Sequence, residues 1–128
     1  FYEVRYDDKA ESELEFCKKM YKNHAINSKN MNTVKSVILD ISGGGIRFSL
    51  STPLEEGTYF MAQFSLALEE CTQQFNIVCK VINCTQSLDY AYRYFARSKF
   101  IFDRMTEREK IVRFVFEEER RIRRREME

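Results

Sequence analysis

The chain has 128 residues, 44% of them hydrophobic, with 21 Lys and Arg against 20 Asp and Glu and a net charge of +1. That length suits one domain with room for a packed core, and 11 Phe and 7 Tyr can fill it without Trp. The even charge argues against bulk nucleic-acid binding, which needs an excess of Lys and Arg, and no apolar run approaches the ~20 residues that span a bilayer.

In chain order, Phe1-Tyr2-Glu3-Val4-Arg5-Tyr6 alternates and is aromatic, as a strand ending at Asp7-Asp8 would be. From Glu11 to Lys22 the residues Leu14, Cys17, Met20 and Tyr21 recur at three- and four-residue spacing between Glu and Lys. This reads either as a short amphipathic helix or as a strand with a charged extension. Asn23 to Asn32 is Asn- and Ser-rich and reads as a loop. Ser36-Val37-Ile38-Leu39 is the next strand, and Ile46, Phe48 and Leu50 alternate with Arg47 and Ser49 in the one after it.

Between these two strands lies Asp40-Ile41-Ser42-Gly43-Gly44-Gly45, with three of the four glycines. Glycine permits positive φ and close approach of a ligand to the backbone, and a concave run of exposed N–H groups suits phosphate oxygens. Asp40 adds an acceptor and Ser42 a rotatable hydroxyl. The competing reading is a plain hairpin turn, since Asp and Ser bond to nearby backbone in turns. The stretch is neither a dinucleotide fingerprint nor a P-loop, because no helical pattern or Lys-Ser/Thr pair follows.

Ser51 to Gly57 is a connection containing Pro53, Thr58 to Leu66 a strand, Glu69-Glu70 a turn and Phe75 to Ile82 a further strand. After a turn at Gln86 to Asp89, Tyr90 to Phe102 is long enough for one bent strand or two. Short strands without intervening helices point to an antiparallel barrel or sandwich. Thr106-Glu107-Arg108-Glu109 then reads as a capping box, opening a helix with Ile111, Phe114, Val115 and Ile122 as its apolar stripe. Its Arg120–Arg125 end reads as a solvated turn paired with Glu at i−4, or as a contact for an acidic partner, nucleic acid or membrane.

Cys17, Cys71, Cys79 and Cys84 form no C-x-x-C pair and His24 is the lone histidine, so no metal site is expected. Reduced thiols and a cytoplasmic location are expected. Catalysis is not expected either: no Cys–His pair or paired carboxylates stand out, and nothing would orient Asp40 and Ser42 as base and nucleophile.

The order of elements and the motifs together resemble the PilZ domain, most closely the C-terminal PilZ half of bacterial flagellar-brake proteins. Asp40-Ile41-Ser42-Gly43-Gly44-Gly45 fits the family's D/N-x-S-x-x-G. Pro53-Leu54-Glu55-Glu56-Gly57 falls at its P-L-x-x-G turn, and Glu107 to Phe116 with the Arg-rich sequence beyond is similar to its closing helix. The resemblance implies a mainly β fold, a six-stranded antiparallel split barrel over about 1–103 with a C-terminal helix over about 106–126. The whole of 1–128 would be one domain, expected to be part of a longer protein with an upstream domain.

It also implies a ligand, cyclic di-GMP. Asp40 would accept from a guanine N–H edge, Ser42 would bond base or phosphate, and Gly43, Gly44 and Gly45 would admit the ligand, with Arg47 a further candidate. The family's R-x-x-x-R half-site does not precede Asp40. Arg5 and Lys9 have the spacing, but a lysine lacks the planar fork, so the motif is expected upstream of Phe1. Arg97-Ser98 departs from a glycine found in many relatives. A protein partner is implied, a flagellar motor component by analogy. The alternative is a degenerate PilZ domain acting as a nucleotide-independent protein–protein module.

Overall fold

The computed structural model describes residues 1–4, 12–22, 34, 36–68, 71–89 and 93–127. The elements are β1 (Tyr2–Val4), α1 (Glu13–Lys22), β2 (Val37–Ile41), β3 (Gly45–Leu50), β4 (Tyr59–Ala67), β5 (Thr72–Gln86), β6 (Tyr94–Ile101) and α2 (Met105–Met127). All strand pairs are antiparallel, in one six-stranded sheet of order β1-β4-β5-β6-β3-β2. Among the described residues β1 and β2 do not pair, so the six strands of the expected split barrel form a half-barrel. Its two ends still meet: the Val34 N–H donates to the Phe1 carbonyl at 2.9 Å and the Phe1 nitrogen to the Val34 carbonyl at 3.0 Å.

Alternation sends Ile46, Phe48, Phe60, Ala62, Phe75, Ile77, Cys79, Val81, Ala96 and Phe100 into the concave side, where they form the main core. Phe1, Phe48 and Phe60 pack pairwise with ring centroids 5.2–5.5 Å apart. Ile111 of α2, fully buried, joins this core and anchors the C-terminal helix. Gly57 has φ +84°, which explains a glycine at the end of the Pro53 connection.

The stretch that left helix and strand open is a helix. It lies on the convex face, where Phe16, Cys17 and Met20 of α1 cover Tyr2, Tyr59, Met61 and Val78 as a second core. That is why Tyr59, Phe60, Met61 and Ala62 are all buried in succession: here the sheet is covered on both sides. The Tyr21 hydroxyl donates to the Ile101 carbonyl and accepts from the Val78 N–H, tying α1 to β5 and β6. Burial raises the Tyr21 phenol well above its usual range, so it stays a donor. Glu13 accepts from the Tyr59 hydroxyl and pairs with Lys80 at 3.5 Å.

Three other expectations change. β5 runs from Thr72 to Gln86, well beyond the apolar stretch, while β6, Tyr94–Ile101, takes the one-strand alternative. α2 begins at Met105, so Thr106 lies in its first turn rather than at the N-cap. Ile122 is 51% exposed, because α2 has left the sheet by then; its buried face ends at Glu117. No disulfide forms among the four cysteines, and burial pushes the Cys17 thiol up to about 11.

Candidate functional site

α1 covers only part of the convex face, and the remainder is an open polar surface over β2, β3, β6 and β5. There the strand registers align one row of outward residues. Asp40 stands opposite Arg47, Arg47 opposite Arg97, and Arg97 opposite Asn83. Two β-bulges set this alignment. In β2 the register shifts between Ile38 and Asp40, and in β5 between Val81 and Asn83, leaving Leu39 and Ile82 as the extra residues. A bulge re-aims the side chains that follow it. Without the two shifts, neither Asp40 nor Asn83 would stand in this row.

The row lines two adjoining hollows. One, of about 420 Å³, is bounded by Asp40, Arg47, Asn83, Thr85, Phe95 and Arg97. The other, of about 270 Å³, adds Ser42, Gly44, Gly45 and Ser98 to the shared Asp40, Arg47 and Arg97. Asp40 Oδ2 lies 3.3 Å from Arg47 Nε, and both side chains are more than half exposed. A pair this exposed holds weakly. A larger furrow of about 710 Å³ runs along α2 past Val112 and Phe116. Its arginines alternate with Glu109 and Glu119 on a single helix face, and it meets the hairpin at Val112, beside Gly43.

The hairpin glycines differ from the expectation of a left-handed turn with free N–H groups. Gly57 is the sole glycine at positive φ among the described residues. Ser42 organises the turn: its N–H donates to the Gly45 carbonyl at 2.9 Å, and its Oγ accepts from the Gly44 N–H at 3.3 Å. Gly45 and Gly43 are packing positions. A Cβ on Gly45 would lie 2.0 Å from the Ser98 carbonyl oxygen, and one on Gly43 would lie 2.9 Å from Val112 Cγ2 of α2. Only Gly44 faces open space, with nothing nearer than Ser42 Oγ at 3.9 Å.

The structure thus brings Asp40, Ser42, Gly44, Gly45 and Arg47 to one surface, with Gly43 turned towards α2. Arg5 and Lys9 lie outside the described residues. Sequence reasoning did not include Arg97, Asn83 and Thr85 in the site. The signal was there for Arg97, since Phe95, Arg97 and Lys99 alternate with the buried Ala96, Ser98 and Phe100. No group of His, Cys, Asp and Glu able to hold a metal occurs among the described residues.

The site is thus a polar hollow on an antiparallel sheet, beside a glycine hairpin and near a terminal helix. The PilZ domain profile matches residues 21–117, most of the chain, and the protein belongs to the PilZ family, in general a family of cyclic di-GMP receptors. Searches of curated proteins and of solved structures returned no match. No helix among the described residues is long and apolar enough to cross a membrane.

Proposed function

We propose that this chain is a non-enzymatic receptor for cyclic di-GMP, binding it on the convex face beside the Asp40–Gly45 hairpin. The observation that carries the reading is the exposed Asp40 carboxylate at the lip of a hollow that also holds Gly44, Arg47 and Arg97. A guanine base offers two N–H donors on one edge to a carboxylate, and acceptors on another that suit a guanidinium. Ser42 shapes the turn and Gly44 leaves space for a base to come close. Ligand binding there alters the surface offered to a protein partner. Flagellar control is the output suggested by the flagellar-brake resemblance.

Calorimetric titration of the full-length protein with cyclic di-GMP tests this. Saturable binding that Asp40→Ala abolishes is the expected result. Absence of heat, or an Asp40→Ala variant that binds like the wild type, overturns it and leaves a nucleotide-independent interaction module.

A further inference from the structure

We infer that Arg97 and Arg47 form a phosphate-binding subsite built into the sheet, one that takes a phosphodiester group of the ligand held at the hairpin. This rests on the receptor reading above and adds to it a specificity residue, Arg97.

The inference begins from register. Arg47 and Arg97 are directly opposite each other on β3 and β6, and both are exposed on the outward face. Like charges opposite one another across a sheet repel, so such a pair is unfavourable unless something neutralises it. Asp40 neutralises one of them, through Arg47 Nε at 3.3 Å. Arg97 has no ion-pair or hydrogen-bond partner among the described residues, and its cross-strand neighbour on the other side, Asn83, is uncharged. The row from Asp40 to Asn83 therefore carries one negative and two positive charges, an arrangement completed by one added anion.

Geometry points to the same anion. Both hollows are bounded by Asp40, Arg47 and Arg97, so a ligand in either reaches the carboxylate and both guanidinium groups. Arg47 meets Asp40 through Nε at 3.3 Å, and a guanidinium carries five N–H donors in all. A guanidinium offers a planar fork of donors that matches two phosphate oxygens at once. A carboxylate at one end of the row and two guanidinium groups beside it suit a molecule with a donor edge next to a phosphodiester. A bare anion would use only the arginines, and a neutral base only Asp40.

The test is titration of cyclic di-GMP into full-length wild type, Asp40→Ala, Arg97→Gln and Arg97→Lys. Arg97 is exposed, so unchanged thermal midpoints will show that its variants fold. Arg97→Gln is expected to weaken binding about tenfold or more, the scale of one lost charge-assisted bond, and to make the remaining affinity less sensitive to salt. Arg97→Lys, which keeps the charge and loses the fork, is expected to fall between. If Asp40→Ala abolishes binding while Arg97→Gln binds as tightly as wild type or tighter, the Arg97 assignment fails and the receptor reading stands. If the wild type takes up no cyclic di-GMP, both fail together.

Discussion

The α-carbon of Gly45 approaches the backbone of Ser98 so closely that a methyl group there would stand 2.0 Å from the Ser98 carbonyl oxygen. Backbone cannot step aside as a flexible side chain can. Gly45→Ala is therefore expected to destabilise the domain by about 2–3 kcal/mol, in the range of overpacking strain, and urea unfolding will measure it. Gly44→Ala is the matching control. Its added methyl meets open space at negative φ, so stability is expected to hold or rise by about 0.4–1 kcal/mol. Loss of cyclic di-GMP affinity in Gly44→Ala without loss of stability would locate the ligand at the hairpin; unchanged affinity would move it away.

Tyr21 carries a two-way link from α1 to the sheet. Tyr21→Phe leaves the Val78 N–H and the Ile101 carbonyl without this partner, and is expected to cost about 1–3 kcal/mol. A cost below about 0.5 kcal/mol, the range of ordinary surface changes, would mean that water replaces the hydroxyl.

Glu13 has a carboxyl lowered from the ordinary 4.5, chiefly by the hydrogen bond from Tyr59 and secondarily by the charge of Lys80. A folded-state pKa below the unfolded one stabilises the native state above the unfolded pKa, and that contribution is lost as pH falls through the folded value. The midpoint for wild type is expected to fall faster than that for Glu13→Gln as pH drops below about 4.5, the two converging in acid. Parallel profiles would show that Glu13 does not anchor α1. The group is largely exposed, so the effect is small.

Within α2, Ile111→Ala is expected to cost about 2–5 kcal/mol, since it empties a fully buried site. Ile122→Ala, at a half-exposed position, should stay within about 0.5 kcal/mol. Equal costs would mean that the far end of the helix is covered in solution.

These contrasts also mark what the sequence revealed. Strands covered on one face announced themselves: Ile46, Phe48 and Leu50 lie inside, as their spacing predicts. Where α1 covers the convex face the alternation disappears, and Phe16, buried beside Tyr59, was missing from the expected stripe. β5 outran its prediction because Asn83 and Thr85 are polar for an outward surface, not because the strand has ended. The hairpin was legible as a motif, whereas its neighbours were not. Which residues stand opposite Asp40 and Arg97 depends on two one-residue bulges, and no local preference at Leu39 or Ile82 declares them.

Gly43 touches Val112, and from Val112 the helix continues past the last residue that the sheet covers. From there to Arg125 the axis is about 20 Å long at ~1.5 Å per residue. Any tilt forced on the helix where it abuts the hairpin is magnified along that span: about 10° at the fulcrum sweeps the arginine tip through roughly 3 Å. A bare α-carbon at one position thus lets the helix seat directly on the hairpin, as a lever whose charged tip lies far from its base.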